Sequence, residues 1–392
     1  MTSSHNGTSR PFTVALCTSW TAGPELAVVE ELRATIRRCK HGVLVTTACM
    51  LDPLTCAAPP SRHDSHRAAP HNLSGTVIDR PNTQNVGTLM SLLSRPRLAD
   101  PLSWLFARVV RTTPNATLRF PEITGWTTAA VVPTRHGEVA ATIYHPPSEA
   151  GATPPVYLNV HGGGFVVGHP EDDDPWCRYL AARAKCVVVN TGYALAPRWR
   201  FPVPVEQVYD VVRWASSVKR NWDGSRLCVG GQSAGDNLCA AAARLALENG
   251  GPQIKLQVLH YPLLDLVTRT KDKHAAGGPK AFFRPWMGDI IDAAYIPDPK
   301  QRRDRLASPA WGTNGDNIKG IAPALVITAE LDRLHDETAA YARKLDAAGS
   351  LVEYRDVLGV DHGYNILGDS KEIARQIYDF IADHVASATT KR

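Results

Sequence analysis

Ser233 is the residue whose surroundings offer the most chemistry. It stands at the centre of Gly231-Gln232-Ser233-Ala234-Gly235, behind a short apolar run at 227–229 and ahead of an alanine-rich, helix-favouring run at 240–247. Strand, sharp turn and helix in that order give the G-x-S-x-G pattern its meaning. Such a turn strains the serine backbone, and the flanking glycines, having no β-carbon, let strand and helix approach each other closely. The hydroxyl is held clear of the chain, with the N-terminal dipole of the new helix aimed at it, which suits a nucleophile. Five letters alone arise often by chance, and an ordinary glycine-rich βα turn would share them. The strand before and the helix after distinguish the two.

A serine nucleophile needs a base. Of 14 histidines, His362 fits best: Gly359-Val360-Asp361-His362-Gly363-Tyr364 follows the last expected strand and precedes the last helix. That is a loop at the carboxyl edge of a sheet, where ligands bind. The base in turn needs a carboxylate to orient it. Asp332 lies just past the penultimate strand and is the first choice, with Glu330 and Asp336 as second choices. Asp361 adjoins His362, and neighbours in a loop rarely orient one another's side chains. His161-Gly162-Gly163-Gly164-Phe165 ends another strand. A tight turn needing positive φ accounts for one of those glycines more easily than for three. Accessible amides at Gly163 and Gly164, with that of Ala234, form the expected oxyanion hole. This chemistry calls for no metal and no organic cofactor.

The elements that must position these groups follow from the pattern. Residues 126–132 and 139–144 are β-branched and aromatic-rich and read as a hairpin at a sheet edge, joined through Pro-Thr-Arg-His-Gly. Further strands are expected at 156–160, 186–190, 227–229, 254–260, 324–328 and 352–356. Helices are expected near 176–184, 205–219, 336–348 and 371–385. The alternation implies an α/β fold, a mostly parallel central sheet with helices on both faces. Residues 263–310, with Phe282, Phe283, Trp286 and Tyr295, break the rhythm and read as an inserted lid.

The 392 residues exceed an average domain, and 44% hydrophobic with 21% charged residues fits a globular chain. A net charge of +5 without a Lys/Arg block argues against a nucleic-acid partner. No apolar stretch reaches the roughly 18 residues a membrane span needs. Residues 11–17 are too short and lack a cleavage site for a signal peptide, so a cytoplasmic location is expected. Eight cysteines, of which Cys228 and Cys239 fall in an expected core strand and helix, suggest free thiols. Domains are expected at 1–56 (a small βαβ-like unit), 57–72 (a Pro/Ala/Ser/His-rich linker) and 73–392.

From about residue 95 onward the chain resembles the hormone-sensitive-lipase-like family of α/β-hydrolase carboxylesterases. The resemblance rests on HGGGF (161–165), YALAP (193–197) with FP (201–202), GQSAGDN (231–237), AELDRLHDE (329–337) and GVDHGYN (359–365), in that order. It implies hydrolysis of a small carboxylic ester through an acyl-enzyme, in the α/β-hydrolase fold. It also implies a cap drawn from about 95–115, including a helix over 101–110, and from 263–310. Three positions depart from the family pattern. Gln232 replaces an Asp, Asp236 a Gly and Arg198 a Glu, which bears on substrate range. Two other functions stay open. One is a catalytically silent binding protein on this fold, as in the plant gibberellin receptors. The other is a hydrolase fused to an electron-transfer unit, since Cys17, Cys39, Cys49 and Cys56 lie in a segment faintly resembling a thioredoxin-like 2Fe–2S ferredoxin. Six residues separate Cys49 from Cys56, without the tight C-x-x-C of a firm cluster motif.

Overall fold

A computed structural model of the chain describes residues 100, 120, 123, 125–147, 153–218, 220–366 and 371–390. The expected unit at 1–56, the linker, Cys17, Cys39, Cys49 and Cys56, and the cap helix at 101–110 lie outside the described residues.

Among the described residues eight strands form one sheet: β1 (Trp126–Thr134), β2 (Gly137–His145), β3 (Pro155–Val160), β4 (Val187–Thr191), β5 (Asp223–Gly231), β6 (Ile254–His260), β7 (Ala324–Ala329) and β8 (Leu351–Val357). Their spatial order is β1-β2-β4-β3-β5-β6-β7-β8. β1, β2 and β4 pair antiparallel, and every pair from β4 to β8 is parallel. The hairpin of β1 and β2 closes at Thr134 and Gly137, at one edge. β3, β4 and β7 are buried along their whole length, as a strand covered on both faces must be.

Among the described residues six α-helices follow the strands: α1 (Asp174–Arg183), α2 (Val203–Ala215), α3 (Ala234–Glu248), α4 (Pro285–Tyr295), α5 (His335–Ala347) and α6 (Lys371–Ala388). The period of two along each strand sends alternate side chains into separate cores. Val156, Leu158 and Val160 of β3 join apolar side chains of α2, α3 and α5, whereas Tyr157 joins those of α1 and α6. Cys177, Cys186, Cys228 and Cys239 are buried and free. Among the described residues no helix is long and apolar enough to cross a membrane.

Two boundaries differ from the sequence expectation by four residues. β5 starts at Asp223 rather than 227, because the Asp223 amide donates to Pro154 O and Arg226 pairs with the Asp223 carboxylate. A polar start gives no apolar signal. α2 ends at Ala215, where the Ser216 amide folds back to Val212 O and that of Ser217 to Trp214 O.

The order of the strands locates the site. From β3 the chain moves one way to β4, then crosses back to β5, so the direction in which strands are added reverses between β3 and β5, although the two are parallel. A crevice opens at such a point, outside the carboxyl ends of the strands. The HGGGF segment leaves β3 and Ser233 leaves β5 at that crevice.

Candidate active site

Ser233 links β5 to α3 with φ 55° and ψ −116°. A non-glycine residue in this region is strained and persists only where its surroundings enforce it. Here the Ser233 amide donates to His260 O at 3.2 Å, and its carbonyl accepts from Leu263 N at 3.2 Å. The end of β3 lies hard against the turn. A β-carbon on Gly235 would stand 2.0 Å from Val160 O, as would one on Gly231. Gly235→Ala is therefore expected to destabilise the fold by more than about 4 kcal/mol, the range of severe backbone conflicts. Thermal melting checks this, and a variant melting with the parent would mean the contact yields easily.

His362 meets both expected partners. Its Nε2 lies 3.0 Å from Ser233 Oγ and its Nδ1 2.7 Å from Asp332 Oδ2. Asp332 is fully buried, and its other oxygen accepts from Leu334 N at 3.0 Å, at the turn into α5. A carboxylate only accepts, so Nδ1 carries the hydrogen and Nε2 is left bare to accept the serine hydroxyl. A hydroxyl so placed can lose its proton to the imidazole as it attacks an electrophile. Burial alone would lower the His362 pKa. The charge and hydrogen bond of Asp332, with Asp361 and Glu337 adding to them, outweigh it and hold the pKa above 6.5.

The other acids do different work. Glu330 Oε2 accepts from Gly359 N at 2.7 Å. Asp336 is largely exposed beside His335 on α5. Asp361 Oδ1 accepts from the His362 amide at 2.7 Å and its Oδ2 from Phe282 N at 2.6 Å. The insertion at 263–310 is thereby tied to the loop of the base. Arg333 ties it to the loop of the acid, donating to Phe283 O at 3.0 Å and Lys273 O at 2.8 Å. The rings of Phe282 and Phe283 stand 6.2 and 5.8 Å from that of His362.

On the other side, Gly163 and Gly164 take φ values of 112° and 61°. A β-carbon on Gly164 would come within 2.4 Å of Ile291 Cδ1 on α4. The bend leaves the amides of both glycines, and that of Ala234 at the start of α3, without an acceptor among the described residues. His161 shapes this loop from beneath. Its Nδ1 donates to Gly162 O at 2.7 Å, its ring stacks on Tyr193, and burial pushes its pKa down to about 4, so it stays neutral.

A family model described as alpha/beta hydrolase fold matches residues 157–366. This chain belongs to that family. Within the alpha/beta hydrolases, an ethyl acetate hydrolase of Pseudomonas putida is 34% identical over 257 residues, which are 62% of this chain and 76% of the relative. A carboxylesterase of Mycobacterium tuberculosis, NlhH, is 32% identical over 237 residues, 58% of this chain and 71% of the relative. Among solved structures, the thermophilic carboxylesterase EstE1, cloned from a metagenomic library, superposes with a TM-score of 0.62 at 29% identity. That superposition covers 76% of this chain and 97% of EstE1.

Two of the three departures from the hydrolase pattern are buried behind the serine, and the third is not. Asp236 Oδ2 accepts from His260 N, and burial pushes its carboxyl pKa well up. Gln232 joins a buried polar chain. Arg198 is exposed, over the ring of Trp199. Sequence reasoning missed Tyr261, which follows β6 with φ 43° and sets its ring edge-on to His362, 4.8 Å between centroids. No glycine or motif marks that position.

Proposed function

We propose that this protein is a serine carboxylesterase that hydrolyses carboxylic esters of short to medium acyl chain through an acyl-enzyme. The observation that carries the reading is the unbroken line from Ser233 Oγ through His362 to Asp332, at 3.0 and 2.7 Å. The names of the relatives, ethyl acetate hydrolase and carboxylesterase, support the choice of ester.

In this mechanism Ser233 Oγ attacks the ester carbonyl while its proton passes to His362 Nε2. Asp332 keeps the imidazole in the required tautomer and stabilises its charged form. The amides of Gly163, Gly164 and Ala234 donate to the oxyanion. Collapse of the tetrahedral intermediate expels the alcohol, which takes the proton from Nε2. Water, deprotonated by the same nitrogen, then releases the acid and restores the serine. The insertion at 263–310 serves as a cap, as its two phenylalanines beside the imidazole suggest.

The test is a screen of p-nitrophenyl esters of increasing acyl length, together with labelling by a fluorophosphonate probe. A folded protein that neither turns over nor takes the label would be a binding protein on a hydrolase fold. The pH profile provides a second check. His362 acts as base only when neutral, so kcat/KM falls as pH drops through its pKa. Because that pKa is raised, the acid limb is expected to have its midpoint above 6.5. A folded enzyme with a flat rate down to about pH 4 would require a different base.

A further inference from the structure

A buried polar chain lies behind the site, and the mechanism above makes no use of it. Gln232 Nε2 donates to Asp173 Oδ1 at 3.1 Å, and Gln232 Oε1 accepts from Asn365 Nδ2 at 3.0 Å and from the Tyr261 hydroxyl. The Tyr261 hydroxyl also meets Asn365 Oδ1, and Asn365 Nδ2 donates to the Tyr378 hydroxyl at 3.0 Å. At the other end Asp173 Oδ2 accepts from Asn159 Nδ2 at 2.8 Å. None of these six side chains is more than 3% exposed.

The positions of the members are what give the chain a role. Gln232 is the residue before Ser233. Asn365 lies three residues after His362. Tyr261 follows His260, whose carbonyl accepts from the Ser233 amide, and its ring packs on the imidazole. Tyr261 holds a left-handed backbone at φ 43°, a strain its neighbours must sustain.

We infer that Gln232, Tyr261 and Asn365 form a positioning bracket that sets His362 at its distance from Ser233, and that Gln232 is matched to the buried carboxyl of Asp173. The inference rests on the serine esterase reading. It also accounts for the departure at position 232, where the family pattern has an Asp. An amide there gives the Asp173 carboxyl a donor. An acid would set two carboxyl groups face to face in a dry interior, where like charges close together cannot both ionise. Asp173 already feels its burial, which pushes its pKa up to about 7.

Exchanging the pair tests the match. The full-length variants are Gln232→Glu, Asp173→Asn, the two combined, and Tyr261→Phe, each measured for p-nitrophenyl acetate kinetics and melting temperature. Gln232→Glu is expected to lower kcat by roughly 10-fold or more with KM within about 2-fold, the signature of lost alignment rather than lost binding. Its melting temperature should fall. The combined variant restores one amide facing one carboxyl, and should return kcat to within about 3-fold of the parent and recover most of the melting temperature. Tyr261→Phe removes only the hydroxyl. It should lose about 5- to 10-fold in kcat with the acid limb of the pH profile unmoved, because Asp332 governs the charge of His362.

Full activity and stability in Gln232→Glu would overturn the inference. So would a combined variant no better than the worse single one, or full kcat in Tyr261→Phe. If Gln232→Glu fails to fold, folding of the combined variant supports the match; if neither folds, Tyr261→Phe decides. A parent protein that hydrolyses no ester would sink the esterase reading alone, because the melting cycle still reports whether positions 173 and 232 are coupled.

Discussion

Ser233→Ala is expected to abolish ester hydrolysis, with kcat/KM falling on the order of 10³-fold or more, and His362→Ala is expected to match it. The two act as a unit across one hydrogen bond, so the double variant should be scarcely worse than either single one. Folding should survive the serine change, which removes one hydroxyl and no apolar surface. The histidine change also removes a ring that packs against Tyr261, Phe282 and Phe283, so its melting temperature belongs beside its kinetics. Fluorophosphonate labelling should vanish in Ser233→Ala. Near-normal turnover in that variant, folded, would mean that another group attacks the ester.

Asp332→Asn should cost on the order of 10³–10⁴-fold, although it changes a single atom. The carboxylate now accepts from His362 Nδ1 at 2.7 Å. An asparagine can turn its NH₂ toward that nitrogen, which then has to give up its hydrogen. The hydrogen moves to Nε2, the atom that must accept the serine proton, and the base is lost. The same change removes the charge that raises the His362 pKa, so the remaining activity should show its acid limb at lower pH than the parent's. Asp336→Asn, on the exposed face of α5, should change the rate by no more than a few-fold. If the two effects come out in the opposite order, the orienting acid lies one helical turn further along the chain.

What could be read from the sequence, and what could not, divides along a physical line. The strands at 155–160, 187–191 and 324–329 are mostly apolar runs, interrupted only by Asn159, Asn190, Thr191 and Thr328, because both faces of the sheet are covered, and such runs are legible. Ser233, Asp332 and His362 could be named because each follows a strand at the carboxyl edge, and the structure brings the three within hydrogen-bonding distance. The bracket behind them left no such trace. Tyr261 and Gln232 are 29 residues apart, and Gln232 and Asn365 are 133 apart. Polar residues paired over those spans share no period and sit in no common motif. The positive φ of Tyr261 was hidden for a related reason, since a left-handed tyrosine is enforced by tertiary neighbours and not by its own type. Asp361, which adjoins His362, holds only backbone amides with its carboxylate. Its second bond, to Phe282, lies 79 residues away and could not have been foreseen.

On the esterase reading, the tethers at Asp361 and Arg333 would make entry of the substrate and readiness of the base one mechanical event. If the protein is the esterase proposed above, a slender ester is expected to reach Ser233 with both tethers intact. A wide one is expected to lift the segment around Phe282 and Phe283, which would strip the Phe282 amide from Asp361 and the Phe283 carbonyl from Arg333. Those two side chains flank the base and the acid in sequence, so the loops that aim them lose a guy-rope just as the ester arrives. Girth should then be penalised in turnover as well as in affinity, and two esters of equal hydrophobicity but unequal width are expected to part company at saturation.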